Sequence, residues 1–259
     1  MTVEYLFADA GCLRETAKQI SLRYLGMADA VILNWMGLRR AFQKVFVYDA
    51  VSAKGRDEDH LEYQRRIADR MNEYANIRAL DGFHVQLGDL RGKKANQKKV
   101  DVQVTVDMLM HTVRGNMQRC TLLTGDSDFQ PLLEALTREG MYTTLWHPKH
   151  APADLTGAAD SLIPLDLSQL ADVLCRPDQS RLIPTFGGDV RRPCGELRHF
   201  WDDKPYRYEI HKDLLWTLEQ FYPDASATSQ FIKDRDLRVL TEAAKDIWHI
   251  DIPEMPHLE

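Results

Sequence analysis

The sequence has no long apolar run and no basic leader at its N-terminus. No stretch approaches the roughly 20 apolar residues that a transmembrane helix needs. The opening MTVEYLFADAGC runs directly into a strand-like segment, which is unlike a signal peptide. We therefore expect a cytoplasmic protein that does not associate with a membrane.

Cysteine is scarce, and its spacing argues against two kinds of site. The chain contains four cysteines, Cys12, Cys120, Cys175 and Cys194, and no two of them form a CxxC pair. This pattern disfavours both a disulfide framework and a zinc cluster, and it is typical of reduced thiols. The sequence also lacks internal repeats and low-complexity segments.

Positive charge is in deficit, since the formal net charge is −6. Such a balance argues against broad non-specific adhesion to nucleic acid, although it allows a local basic track. The apolar fraction of 44% and the charged fraction of 28% are typical of a soluble globular protein. A length of 259 residues suits one α/β domain with a smaller appendage.

Short apolar segments alternate with amphipathic ones over the first two thirds of the chain. Strands are predicted at Val3–Ala8, Val45–Tyr48, His84–Leu87, Cys120–Thr124, Met141–Trp146 and Ser161–Leu165. Helices are predicted up to Leu25 and at Val31–Phe42, Leu61–Asn76, Asp101–Val113, Phe129–Arg138 and Leu167–Leu174. This alternation predicts an α/β fold with a mostly parallel sheet flanked by helices.

The residue composition changes after about residue 176, and this change divides the chain into three predicted parts. Residues 1–175 form the predicted α/β domain. Residues 176–194 are rich in Pro and Gly and are predicted to be a linker. Residues 195–259 are predicted to form a smaller, mainly helical region of unknown role, with helical patterns near Lys212–Phe221 and Leu237–Trp248.

Several aspartates directly follow predicted strands, where functional groups gather in parallel sheets. Asp9 ends the first strand, and TLLTGDSDFQPLLEAL at 121–136 places Asp126 and Asp128 after a glycine turn. Asp128 alone could be a helix N-cap. Two carboxylates in one turn, however, repel each other unless a cation offsets their charge, and oxygen-rich sites suit Mg²⁺ or Mn²⁺.

A further aspartate, Asp101, lies in KKVDVQVTVDML at 98–109 and is predicted to open a helix. The apolar stripe of that helix is predicted to pack on the sheet and consists of Val102, Val106, Leu109 and Val113. Asp101 would then point toward the other aspartates, or it would only compensate the helix dipole. Asp107 is at most a supporting residue. Asp49 ends the second strand but lies in no motif, and it is interpreted as a loop carboxylate.

These segments together resemble the NYN domain, a PIN-like nuclease group, and within it the LabA-like bacterial branch. The resemblance rests on LFADAG, VFVYDA, GFHVQLGDL, KKVDVQVTVDML and LLTGDSDFQPLLEAL, in the family's order, over about residues 1–165. It implies a PIN-like fold and an acidic site for Mg²⁺ or Mn²⁺ whose metal-binding and catalytic residues are Asp9, Asp101, Asp126 and Asp128. The family usually has Asn three residues after the first aspartate, where this chain has Cys12.

The resemblance further implies a metal-dependent nuclease, most consistent with an endoribonuclease that cleaves single-stranded RNA rather than DNA. The basic run 91–99 is predicted to guide the phosphate backbone through Lys93, Lys94, Lys98 and Lys99. Thr124 and Ser127 are candidates either to contact a substrate phosphate or to orient the metal ligands, and Ser127 could equally make only hydrogen bonds within its turn. The alternative is a non-catalytic module that binds RNA or protein, and a homo-oligomer is compatible with either function.

Three other motifs that the sequence suggests are rejected because they lack required residues or spacing. Gly88–Lys94 has three residues between its glycines, whereas a P-loop needs four. His147 and His150 have no companion ligands for a metal. A haloacid-dehalogenase-like phosphatase would need a second aspartate where this chain has Gly11.

Overall fold

A computed structural model describes most of the chain, and its residues form two compact units. The described residues are 2–28, 30–51, 54–88, 95–167, 169–176, 185–187, 196–203, 206–212, 216–221 and 230–252. The first unit comprises Met1–Lys18 and Leu33–Val173. The second comprises Gln19–Ile32 and Leu174–Glu259. No described helix is both long enough and apolar enough to cross a membrane.

A six-stranded parallel sheet forms the centre of the first unit, which confirms the predicted fold class. Its strands are β1 (Glu4–Asp9), β3 (Lys44–Asp49), β4 (Phe83–Leu87), β5 (Arg119–Leu123), β6 (Tyr142–His147) and β7 (Ser161–Pro164). They follow the order β4-β3-β1-β5-β6-β7. The chain therefore reverses its direction of strand addition between β1 and β5, which is where α/β sheets of this kind bind ligands.

Helices connect these strands. They are α1 (Ala10–Leu25), α2 (His60–Arg78), α3 (Ala95–Val113), α4 (Gln130–Arg138) and the single turn α5 (Ala153–Thr156). The Asp59 side chain caps α2 by accepting a hydrogen bond from the Leu61 N–H at 2.9 Å. α1, α2 and α4 occupy the positions that the periodicity predicts.

Helix α3 differs from its prediction in two ways. It begins six residues before Asp101, so this aspartate lies in its second turn and does not open it. The predicted stripe is also wrong, because Val102, Val106 and Val113 are exposed. The face that packs on the sheet consists of Val100, Val104 and Met108. Valines at every second position supply apolar side chains to opposite faces of a helix, and the pattern alone could not identify the buried face.

The second unit contains a five-stranded antiparallel sheet, so the prediction of a mainly helical C-terminal region is wrong. Its strands are β9 (Thr185–Gly187), β10 (Glu196–Asp203), β11 (Tyr206–Lys212), β12 (Trp216–Phe221) and β13 (Gln230–Asp234), in the order β10-β11-β12-β13-β9. β9 lies within the segment predicted to be a linker. The amphipathic helix α6 (Leu237–Trp248), which was predicted, packs against β12 and β13.

The alternation of residue types explains the strands in this unit. In β11, Tyr206, Tyr208 and Ile210 alternate with charged or polar residues, and Ile210 is fully buried. This period of two is typical of a sheet with one covered face. The apparent helical spacing over Lys212–Phe221 arose from residues that belong to two different strands and their connection.

Two further helix predictions are wrong. The segment Val31–Phe42 contains the short strand β2 (Ile32–Leu33) and a 3₁₀ helix at Trp35–Ala41. A Cβ on Gly37 of this 3₁₀ helix would lie 2.3 Å from the Asp172 carbonyl oxygen, so the local backbone is set by close tertiary packing. In the predicted helix Leu167–Leu174, the described residues 167 and 169–173 form turns, and the short strand β8 (Leu174–Cys175) follows.

Candidate metal centre

The carboxyl ends of β1 and β5 bring Asp9 and the turn at residues 124–128 together. Oδ1 of Asp9 accepts hydrogen bonds from the backbone N–H groups of Gly11 at 2.9 Å and Cys12 at 3.1 Å, both in the first turn of α1. Its Oδ2 lies 3.5 Å from the hydroxyl of Thr124. Asp9 is therefore held between the helix that follows β1 and the residue that follows β5.

Thr124 and Asp126 organise the turn after β5. The fully buried hydroxyl of Thr124 accepts a hydrogen bond from the Asp126 N–H at 3.2 Å. Oδ1 of Asp126 accepts one from the Asp128 N–H at 2.9 Å and caps the short 3₁₀ helix Ser127–Phe129. Asp126 is thus the capping residue, whereas Asp128 lies within the turn with an exposed side chain.

Gly125 allows this turn to approach the loop after β6. A Cβ at this position would lie 2.7 Å from Cγ of Pro148, which is closer than such atoms pack. It would also lie 3.9 Å from the sulfur of Cys12. A larger residue would therefore displace the turn that carries Asp126.

Asp101 approaches the same cluster from α3. Partial burial, with the negative charges of Asp126, Asp9 and Asp128 adding to it, raises the pKa of Asp101 from 3.8 to about 6. Burial also raises the pKa of Asp9. Its backbone hydrogen bonds oppose that effect, and the charges of Asp49 and Asp126 add to it. All four predicted aspartates thus lie within electrostatic range of one another.

Cys12 lies beside Asp9 at the position where the NYN family usually has Asn. Its sulfur hydrogen-bonds with Thr16 and with the backbone of Gly125. Burial, together with the charge of Asp9, raises the pKa of the thiol to about 12. The thiol therefore stays protonated at neutral pH and adds no further negative charge to the cluster.

Asp49 is the last residue of β3 and is buried, so its interpretation as a loop carboxylate is wrong. The guanidinium of Arg14, on α1, donates to Asp49 Oδ2 at 2.5 Å and to Glu73 and Tyr74 at 3.3 Å each. The indole N–H of Trp35 donates to the same Glu73 at 3.0 Å. This network joins the end of β3 to α1 and α2, beside the strand that carries Asp9. Sequence reasoning missed Arg14 because its partners are far away in the chain.

The donors in the cluster suit a hard divalent cation. They are carboxylate and hydroxyl oxygens, the ligands that Mg²⁺ and Mn²⁺ prefer. Burial raises the pKa values of Asp9 and Asp101, and a cation would offset the repulsion between carboxylates that adds to this effect. Among the described residues, no three His, Cys, Asp or Glu side chains form a ready-made coordination shell. Mg²⁺ is usually bound by one or two carboxylates together with waters and substrate phosphates, and the aspartates here fit that mode.

The predicted substrate contacts are described to different extents. Lys93 and Lys94 lie outside the described residues, and for Lys98 only the backbone, within α3, is described. Lys99 is exposed on α3. Ser127 is exposed in the turn after β5, and Thr124 is buried beneath that turn. Of the two hydroxyls, that of Thr124 is therefore placed to support the aspartates.

Fold and site together define an α/β protein with an acidic cluster at the carboxyl end of a parallel sheet, next to its switch point. The sequence matches the NYN domain over residues 30–166, which is more than half of the chain. The protein belongs to the NYN domain family, part of the PIN-like nuclease superfamily.

No curated protein matches the chain. A crystal structure of a protein of unknown function from Vibrio parahaemolyticus is similar, with 17% identity and a TM-score of 0.40. That match covers 64% of this chain and 94% of the other.

Proposed function

We propose that this protein is a metal-dependent endoribonuclease that hydrolyses phosphodiester bonds in single-stranded RNA. The observation that carries the proposal is the meeting of Asp9, Asp101, Asp126 and Asp128 at one end of the sheet, where burial, together with the charges of the other three, raises the pKa of Asp101 to about 6. Crowding of this kind is tolerable at neutral pH when a cation is bound. Membership of a PIN-like nuclease family supports the same conclusion.

We propose that Asp9, Asp101 and Asp126 hold Mg²⁺ or Mn²⁺ and that Asp128 contacts it directly or through water. The bound cation would lower the pKa of a coordinated water and offset charge on the scissile phosphate. Thr124 would keep Asp9 and the Asp126 turn at a fixed separation through its two hydrogen bonds. Lys99, with Lys93, Lys94 and Lys98, would attract the phosphate backbone, and Ser127, which is exposed in the turn after β5, would contact it.

The location we propose is the cytoplasm, where thiols stay reduced. Cys12 and Cys120 are free thiols, which fits such an environment.

A second candidate function is a non-catalytic module that binds RNA or protein and uses the same pocket. Two observations favour it over catalysis. Cys12 replaces the Asn that usually organises the site, and the formal net charge of −6 disfavours the close approach of a polyanion.

Cleavage of single-stranded RNA by purified protein distinguishes the two functions. The assay compares Mn²⁺ with Mn²⁺ plus EDTA and tests Asp126→Asn beside Asp69→Asn, a matched change at an exposed aspartate of α2. We expect cleavage that requires Mn²⁺, is lost in Asp126→Asn and persists in Asp69→Asn. Cleavage that survives EDTA or Asp126→Asn would contradict the enzyme. Binding of RNA without cleavage would support the module.

A further inference from the structure

Next to the acidic cluster, the carboxyl end of the sheet contains a surface pocket of about 190 Å³. It is formed by the ends of β3 and β4 and the N-terminal half of α3. Its walls include Tyr48, Gln86, Leu87, Lys99, Val100 and Gln103. The volume lies below the roughly 300 Å³ at which pockets for drug-sized ligands begin, so it suits a single small ring system.

Register in the sheet fixes where this pocket lies relative to the aspartates. Asp9 of β1 is paired with Tyr48 of β3, and Tyr48 is paired with Gln86 of β4. These three residues therefore form one row across adjacent strands, with their side chains on the same face. Neighbouring strands are about 4.8 Å apart, which places Gln86 roughly 10 Å from Asp9. A ligand bound at the aspartates can extend into the pocket across Tyr48.

The polar groups of the pocket are amides, and one of them is held in a fixed orientation. Asp107 of α3 accepts a hydrogen bond from the Tyr48 hydroxyl at 2.9 Å and from the Gln103 amide at 2.9 Å. Because the Gln103 nitrogen donates to Asp107, its carbonyl oxygen is left as an acceptor for a ligand. Gln86 is exposed and makes no side-chain hydrogen bond with any described residue, so none of them competes with a ligand for its donor or acceptor.

The remaining walls supply apolar surface and positive charge. Tyr48 and Val100 are buried and form an apolar floor. The Tyr48 ring is stacked with Phe7 at a centroid distance of 6.4 Å, which keeps that floor rigid. Lys99, at the rim, adds the charge that a phosphate would require.

We propose that this pocket binds one nucleobase of the single-stranded RNA whose backbone passes the aspartates, and that Gln86 and Gln103 read the edge of that base. A flat ring with paired donors and acceptors on its edge matches the apolar floor and the two amides. A neighbouring phosphate matches Lys99. The inference rests on the proposed function, since it names a feature of the RNA that the nuclease would select.

Binding of short homopolymeric RNAs, one for each base, tests this assignment. The binding is measured in EDTA, which removes the divalent cation that the proposed cleavage requires. Fluorescence anisotropy would be measured for the wild type, Gln86→Ala, Gln103→Ala and Lys99→Ala. Gln64→Ala is the matched control, because Gln64 is an exposed glutamine on α2. Both Gln86 and Gln103 are exposed, so their truncation preserves the core, and thermal unfolding would verify this.

We expect the wild type to prefer one base. Gln86→Ala and Gln103→Ala should each reduce that preference by about tenfold, the usual effect of losing a contact to a base edge. Lys99→Ala should instead weaken binding to all four RNAs equally and reduce its salt dependence. Gln64→Ala should behave as the wild type.

Equal binding of all four RNAs by the wild type, or an unchanged preference in both glutamine variants, would overturn the inference. A wild type that binds none of the RNAs would overturn it as well. Cleavage in Mn²⁺, measured on the same preparations, separates this result from the proposed function. If the wild type cleaves RNA but the glutamine variants keep its base preference, only the proposal for the pocket is contradicted. If the variants change the base preference but the wild type does not cleave, only the proposed nuclease function is contradicted.

Discussion

The hydroxyl of Thr124 lies 3.5 Å from Oδ2 of Asp9, so the residue after β5 is tied to the last residue of β1. The same hydroxyl accepts from the Asp126 N–H at 3.2 Å. One buried side chain thus links two aspartates that are separated by more than a hundred positions in the chain. The link lies between the two central strands, β1 and β5. The strands β3 and β4 are added on one side of this pair, and β6 and β7 are added on the other.

Thr124→Val keeps the volume of this side chain and removes both hydrogen bonds. We expect kcat for RNA cleavage to fall by roughly 10-fold to 100-fold, the usual effect of losing a residue that orients metal ligands. The fold should persist, as measured by circular dichroism. Thr121→Val is the matched control, because Thr121 is a buried threonine of β5 that donates to Glu4. A control variant that loses as much activity would contradict the positioning role of Thr124.

The raised pKa of Asp101 predicts how stability depends on pH in metal-free protein. Since the folded protein binds this proton more tightly than the unfolded chain, the resulting stability is complete below pH 3.8 and is lost as the pH rises through about 6. Asp101→Asn removes the repulsion. Its thermal midpoint in EDTA should therefore exceed that of the wild type at about pH 8, and the difference should vanish near about pH 4.

Thermal unfolding across this pH range provides the measurement for Asp101. Asp69→Asn, at an exposed position on α2, should follow the wild type at every pH. A midpoint difference for Asp101→Asn that is constant with pH would show that the carboxylate is not crowded by its neighbours.

Arg14→Leu should destabilise the protein because it leaves the buried carboxylate of Asp49 without its cation. The guanidinium bridges Asp49, Glu73 and Tyr74. Removal of one partner from a buried ion pair costs about 3 kcal/mol of unfolding free energy. Arg14→Lys should recover only part of this loss, since an ammonium cannot reproduce the planar fork. Urea denaturation measures both variants.

The comparison for Arg14 is an exposed ion pair. Lys245 lies 2.7 Å from Asp251, whose side chain is 81% exposed. Lys245→Ala should therefore lower the free energy of unfolding much less than Arg14→Leu does. If Lys245→Ala and Arg14→Leu lower the free energy of unfolding equally, burial does not strengthen the contacts of Arg14.

Tyr24→Phe probes a buried polar contact in the second unit. The Tyr24 hydroxyl donates to Asp246 at 2.8 Å and lies 3.1 Å from the Glu242 carbonyl oxygen. Arg23 donates to both oxygens of Asp246, so the carboxylate is held from two sides. Loss of a hydrogen bond to a charged group costs about 1.5–3 kcal/mol.

Chemical denaturation would report this cost. Tyr142→Phe serves as the reference, because Tyr142 is 42% exposed and has no side-chain hydrogen bond with a described residue. A Tyr24→Phe protein as stable as this reference would contradict a contribution from the Asp246 contact.

The sequence predicted some residues of the site and not others. Asp9 and the Asp126 turn could be located because a strand end followed by a glycine turn is a local pattern. The sequence could not locate three other features: the position of Asp101 in its helix, the role of Asp49, and the pocket that contains Gln86 and Gln103. Each depends on contacts between segments that are distant in the chain, and no spacing rule describes them.

The sequence by itself determined the parallel sheet and most of its helices, because hydrophobic periodicity is a local consequence of burial on one face. It did not determine which face of α3 is buried, since valines at alternate positions make both faces apolar. Nor did it distinguish strand from helix over Trp216–Phe221, where only cross-strand pairing with β11 and β13 selects the extended form. Those choices depend on which surfaces meet, and only the tertiary structure decides that.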